Sequence, residues 1–185
     1  MNNFEQAVAA LRRGEVIGYP TEGVFGVGCD PDNPDAIEKL LHIKQRPVEK
    51  GLILIATHYE QLLPYIDESQ LSEEQIVHVK QSWPGPVTWI MPASCQVSSW
   101  LSGQFDTIAV RVTDHPLVQE LCDAFGKPIT STSANLSGQP SCMTTKEVQD
   151  QLGDKLAVVL DGMTGGRLKP SEIRDARTLA VLRKG

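Results

Sequence analysis

Apolar residues recur along this chain at two spacings, and the changes between them divide it into alternating helices and strands. Phe4, Val8 and Leu11 stand three or four apart, which predicts a helix over Phe4 to Arg12 closed by Gly14. Val16 to Tyr19 then reads as a short buried strand. Asn33-Pro34 supplies an N-cap and a proline at the first helical position, for a helix to about Gln45 with Ile37, Leu40, Leu41 and Lys44 on one side. Leu52 to Ala56 is a continuous apolar strand, and Ser72 with Gln75 is a capping-box pair opening a helix to about Trp83. The run WPGP, Trp83 to Pro86, is a rigid turn feeding a strand over Val87 to Met91.

Thr107 to Val112 alternates as a strand does, and Asp114-His115-Pro116 then starts a helix that Gly126 closes. Ile129 begins a strand running into a hydroxyl-rich stretch, Thr130 to Asn135. A helix from about Thr145 to Gly153 and a strand over Leu156 to Leu160 follow, and Glu172 to Arg174 and Leu179 to Leu182 read as two short strands. This alternation predicts an α/β fold with a twisted, mixed open sheet flanked by helices. No repeat, low-complexity tract or linker divides residues 1–185, so a single domain is expected.

Composition narrows the choice. With 185 residues, 41% hydrophobic and 22% charged, the chain is an ordinary globular protein. A body of that length buries about 70% of its unfolded surface and can hold a core and a cleft without metals or disulfides. The net charge of −6 excludes a generally basic nucleic-acid coat. The segment from Arg167 is the exception, since Arg167, Lys169, Arg174, Arg177, Arg183 and Lys184 stand against only Glu172 and Asp175. It reads as a solvated tail or as the local patch an RNA partner needs. Cys29, Cys95, Cys122 and Cys142 form no C-x-x-C pair and read as free thiols. The start lacks the basic and apolar regions of a signal peptide, and prolines and serines break the uncharged run Gln81 to Phe105, so a cytoplasmic protein with no membrane span is expected.

The common phosphate motifs are missing. There is no G-x-x-x-x-G-K-[ST], and Gly23, Gly26 and Gly28 have the wrong order for a dinucleotide fingerprint. A nucleotide would need side-chain cations, and KQRPVEKG places Lys44, Arg46 and Lys50 between a helix end and a buried strand. That loop converges on an anion or is simply solvated. Ser131, Ser133 and Asn135 leave the Ile129 strand at every second position, so they share a face if strand geometry persists; Ser-x-Asn also makes ordinary turns. Arg111, inside the apolar strand Ile108 to Val112, must find a protein carboxylate or a substrate carboxylate. Thr21 and Glu22 end the first strand and read as binding residues or as a hairpin turn. No G-x-S-x-G elbow or H-x-x-x-H pair supports acyl-enzyme or metalloprotease chemistry, and His115 reads as a first-turn helix residue.

Taken together, YPTEGVFGVG from Tyr19, KQRP from Lys44, WPGPVT from Trp83, AVRVTDHP from Ala109, STSANLSGQPS from Ser131 and LRKG from Leu182 resemble the YrdC-like threonylcarbamoyl-AMP synthases in their short, single-domain bacterial form. The resemblance implies a concave anion-binding cleft and a reaction of L-threonine, bicarbonate and ATP to threonylcarbamoyl-AMP and pyrophosphate, serving the threonylcarbamoyladenosine modification of tRNA position 37. It implies Mg2+ held mainly by the ATP phosphates, and handover to tRNA threonylcarbamoyl-transferase proteins. By the same resemblance Lys44, Arg46, Ser133 and Asn135 form a catalytic tetrad on the nucleotide phosphates, Ser141 and Arg183 also bind ATP, and Thr21, Arg111, Ser131 and Ser171 bind threonine.

The chain departs from many relatives at Gly23, where they have a second threonine, and at Ile55, where they have a histidine that touches threonine. The late S-T-I motif appears as Ser171-Glu172-Ile173. Two other functions compete: a non-catalytic module binding tRNA or double-stranded RNA through the basic tail, and a hydrolase of carbamoyl or acyl phosphates using the same anion pocket.

Overall fold

The Val16 to Tyr19 run becomes β1 (Ile17–Pro20), which turns at once into β2 (Phe25–Gly28) and pairs with it antiparallel. In this computed structural model, which describes residues 3–136, 138–167 and 171–184, the remaining strands are β3 (Ile53–Ala56), β4 (Val87–Pro92), β5 (Thr107–Val112), β6 (Ile129–Ser133), β7 (Val158–Val159), β8 (Glu172–Asp175) and β9 (Val181–Arg183). They form one sheet in the order β7-β1-β2-β6-β3-β5-β4-β8-β9. The pairs β1–β7, β3–β5 and β4–β8 are parallel and the others antiparallel, so the sheet is mixed as expected.

The helices are α1 (Asn3–Arg12), α2 (Pro34–Lys44), α3 (Glu73–Gln81), α4 (Ser99–Ser102), α5 (Pro116–Phe125) and α6 (Thr145–Leu152). Asn33 caps α2 by accepting from the Asp35 and Ala36 N–H groups, and the Ser72–Gln75 box is complete in both directions. His115, not Asp114, caps α5: its Nδ1 accepts the Leu117 N–H, while the Asp114 N–H goes to Glu22. Three differences from the sequence pattern stand out. The pattern did not give β2, and it did not give α4. Leu179 takes a left-handed backbone (φ 63°), so the last strand starts only at Val181.

Alternation along the strands sends side chains to two faces. One face, with Phe25, Leu54, Trp89, Met91 and Val110, packs under α2, α4 and α6. On the other, α1 and α5 cover Ile17, Tyr19, Ile55 and Ile129. Burying each such large side chain contributes roughly 1.5–3 kcal/mol. Those two helices reach only part of their face. The row Ser131, Ile53, Ala109, Ile90, joined strand to strand by register, lies beyond them and floors a cavity. No described helix is long and apolar enough to cross a membrane.

Candidate functional site

The cavity on the uncovered face has a volume of about 580 Å³ and brings together Thr21, Arg46, Arg111, Ser131, Ser133, Ser141, Ser171 and Arg183 from segments far apart in sequence. Lys50 and Arg167 also line it, so Arg46, Lys50, Arg111, Arg167 and Arg183 face one carboxylate, Glu22. An acidic chain has thus concentrated positive charge in one concave, partly desolvated place, which raises the local concentration of anions. A second cavity of the same volume lies by α2 and contains Lys127, but Asp30 and Asp32 clamp that ammonium at 2.6 and 3.0 Å. Its cation is already neutralised.

Arg111 stands beside Ile55 in the β3–β5 register and is 7% exposed. Its Nη1 donates to Glu22 Oε2 at 2.6 Å. The same carboxylate accepts from Thr113 Oγ1 at 2.9 Å and from the Asp114 N–H at 3.0 Å. Burial alone would raise the Glu22 carboxyl, but the Arg111 guanidinium and these hydrogen bonds outweigh it and hold it below the usual carboxylate range. The protein carboxylate weighed as Arg111's partner is therefore present, and the arginine also lines the cavity. Thr21 Oγ1 donates to Val24 O at 2.6 Å, so the expected hairpin turn and the cavity wall are one structure. Ile55 is fully buried under α1 and α5 and forms no part of the wall.

Lys44 and Asn135 stand behind the wall instead of on it. Lys44 Nζ donates to Ser133 O at 2.6 Å, Asn135 O at 2.9 Å and Asn135 Oδ1 at 2.6 Å, which engages all three of its protons. Asn135 Oδ1 also accepts from Ser133 Oγ at 2.8 Å, and its Nδ2 donates to Gln139 O at 2.8 Å. Strand geometry ends at Ser133, so Ser131 and Ser133 share the cavity face and Asn135 turns away to organise the following loop. Burial, with Arg46 nearby, pushes the Lys44 ammonium down to about 8, against a small opposing effect of Cys142. Arg46, half-buried, fixes one edge of its guanidinium on Gly51 O at 3.1 Å.

At the far side, Ser171 Oγ lies 3.0 Å from Thr88 Oγ1, and Arg183 Nη2 donates to Ser171 O at 2.8 Å. The basic tail is thereby divided. Arg167 and Arg183 face the cavity, Arg174 pairs with Glu172, Arg177 pairs with Asp106, and Lys184 is exposed. Lys169 lies outside the described residues, as do Ser137 and Gly185 of the quoted motifs. Glu22, read with Thr21 as a binding or turn residue, lines the wall too, and so do Lys50, Thr88 and Arg167; the local charge surplus signals Lys50 and Arg167, and nothing in the sequence signals Thr88. No group of three or more His, Cys, Asp or Glu side chains able to hold a metal occurs among the described residues. Both oxygens of Glu22 are engaged, so among the described residues the wall offers a divalent ion no free carboxylate.

A mixed sheet flanked by helices, with a cation-lined cavity on one face, makes this an α/β protein of a single open-sheet architecture. The chain belongs to the Sua5/YciO/YrdC family, whose family model, described as Telomere recombination, matches residues 9–185. It is 75% identical to the threonylcarbamoyl-AMP synthase of Vibrio parahaemolyticus over 185 residues, the whole of both chains, and 64% identical to that of Photobacterium profundum over the same length. Among solved structures it resembles Escherichia coli YciO (TM-score 0.85, 28% identity, 98% of this chain and 88% of that one). It also resembles Sua5 of P. abyssi complexed with L-threonine (TM-score 0.85, 30% identity, 95% of this chain and 52% of that one). It therefore spans about half of the Sua5 chain.

Proposed function

We propose that this protein is a threonylcarbamoyl-AMP synthase, condensing L-threonine, bicarbonate or CO2, and ATP to threonylcarbamoyl-adenylate and pyrophosphate for the modification of tRNA position 37. The observation that carries this reading is the cavity itself, which sets five cations around hydroxyl groups in a family whose full-length relatives bear that name. The chemistry explains the demand for charge. Threonine's amine adds to the carbon of CO2, or of bicarbonate with loss of water, to give a carbamate. A carbamate oxygen then attacks the α-phosphorus and pyrophosphate leaves, so carboxylate, carbamate and polyphosphate charges must share one site. Positioning and fixed electrostatics supply most of the acceleration in such a step.

We assign Arg46, Ser133, Ser141 and Arg183 to ATP, and Thr21, Arg111, Ser131 and Ser171 to threonine, with Arg111 Nη1 anchored on Glu22 and the rest of its fork directed at the amino acid's carboxylate. Lys44 and Asn135 serve the phosphates by fixing the end of β6, where Ser133 sits. Magnesium comes with the nucleotide, on its phosphates. The cytoplasm, with its ATP and tRNA, is the setting, and tRNA threonylcarbamoyl-transferase proteins receive the product. RNA contact through the tail has less to rest on, because Arg174 and Arg177 are paired with carboxylates. The test is pyrophosphate release from ATP: it should require L-threonine and bicarbonate together, and release that is unchanged when either is left out overturns the reading.

A further inference from the structure

Residues 161–167 cross the end of β1 without regular secondary structure and carry Arg167 to the cavity. This strap is tied at both ends. Asp161 N donates to Asn3 Oδ1 at 2.7 Å at its start; Gly165 N donates to Thr21 O at 2.9 Å and Arg167 N to Glu22 O at 3.0 Å near its finish. It lies close against the site loop, since a Cβ on Gly165 would sit 3.0 Å from Glu22 Cα. Its middle is held by a side chain from another element: His115 Nε2 is 2.7 Å from Met163 O.

The direction of that bond follows from the helix cap. His115 Nδ1 accepts the Leu117 N–H at 3.2 Å and so carries no proton. In the neutral ring the proton is then on Nε2, which donates to the Met163 carbonyl. One imidazole joins the start of α5 to the strap. His115 is 8% exposed, and its own N–H donates to Thr113 Oγ1, which donates on to Glu22. The strap therefore shares its footing with the Arg111–Glu22 pair. Among the described residues no carboxylate pairs with Arg167, so its charge is available at the rim for the most highly charged substrate.

We propose that His115 is a positioning residue that ties down the strap and thereby sets Arg167 to meet the triphosphate of ATP. The second half of this inference rests on the synthase reading; the first half does not. Two substitutions separate the two nitrogens. Asn in H115N places an oxygen where Nδ1 stands and keeps the cap, Asn being among the best capping residues, but cannot reach Met163. Gln in H115Q places an amide where Nε2 stands and keeps the tie while losing the cap. H115N is expected to keep the wild-type melting temperature, exchange the Gly165 and Arg167 amide hydrogens faster, and raise KM for ATP about 3- to 10-fold with KM for threonine unchanged. H115Q should melt lower with near-normal exchange and KM. Arg167→Ala should raise KM for ATP as H115N does, and the double variant should add little further.

Wild-type amide exchange in H115N overturns the tie whether or not the enzyme is active. Faster exchange with unchanged KM for ATP overturns the role given to Arg167. Equal kinetic losses in H115N and H115Q, following their melting temperatures, reduce His115 to a structural cap and overturn the proposal.

Discussion

Arg111→Lys tests the proposed role of Arg111 in holding the amino acid's carboxylate. Arg111 and Glu22 are nearly closed to water, with side chains 8% and 11% exposed and Nη1 2.6 Å from Oε2. Removing the charge altogether would leave Glu22 buried without its cation, at a cost of about 3–5 kcal/mol, and would confuse folding with binding. Lysine retains the charge. Its single ammonium can stay on Glu22 or reach toward a substrate carboxylate, whereas on the proposed assignment the guanidinium fork does both. Losing the substrate half should raise the half-saturating threonine concentration about 10- to 100-fold, equivalent to roughly 1.4–2.7 kcal/mol, with little change for ATP. The assay is threonine saturation at fixed ATP and ATP saturation at fixed threonine, beside a melting curve. An unchanged threonine curve with a lowered melting temperature would refute the clamp and leave Arg111 only as the counter-ion of Glu22.

Arg46→Ala should lose about 1.5–3 kcal/mol of charge-assisted phosphate binding, roughly 10- to 150-fold in kcat/KM for ATP, with the fold intact; wild-type kinetics at limiting ATP would remove Arg46 from the site. Lys44 sets a pH window because its ammonium, titrating at about 8, supplies three hydrogen bonds to the end of β6. Activity should fall as pH rises through that value, and Lys44→Arg should shift the descending limb upward. Stability should move the other way. The unfolded lysine keeps its proton up to about 10.4, so between the two values the unfolded chain binds more protons and unfolding becomes harder as pH rises; denaturant melts across that window check the sign. Gly28→Ala would put a Cβ 1.9 Å from the Thr130 carbonyl oxygen, and strand separation there should cost up to about 3 kcal/mol, or roughly 6–12 °C in Tm.

That last position explains why one strand escaped the sequence pattern. Phe25-Gly26-Val27-Gly28 alternates like a strand, but its glycines draw the eye only as a possible dinucleotide fingerprint in the wrong order; here they serve close backbone approach, with Gly28 against β6. The apolar runs of β3 and β5 and the capped helices were legible because periodicity and capping are local properties. The site was legible in part. Which residues are polar at strand ends can be read locally, so Ser131 and Ser133 were placed on the right face. Where a long side chain goes depends on what meets it across the fold. Lys44 reaches back to Ser133 and Asn135 on β6 and the loop after it, and Glu22 meets Arg111 from a loop 89 residues away, which no spacing along the chain reveals. The basic tail shows the same limit, since counting its charges could not tell Arg183, on the cavity, from Arg177, paired with Asp106.

On the proposed reading, the cation-lined cavity makes an aminoacyl-carbamoyl adenylate from threonine. The most direct measurement incubates the protein with ATP, isotopically labelled bicarbonate and L-threonine or L-serine in separate reactions, and identifies products by mass. The expected product is threonylcarbamoyl-AMP carrying one labelled carbon, formed with an equal amount of pyrophosphate and less efficiently with serine. ATP consumption that yields inorganic phosphate without any labelled adenylate would contradict it and return the cavity to the hydrolase reading.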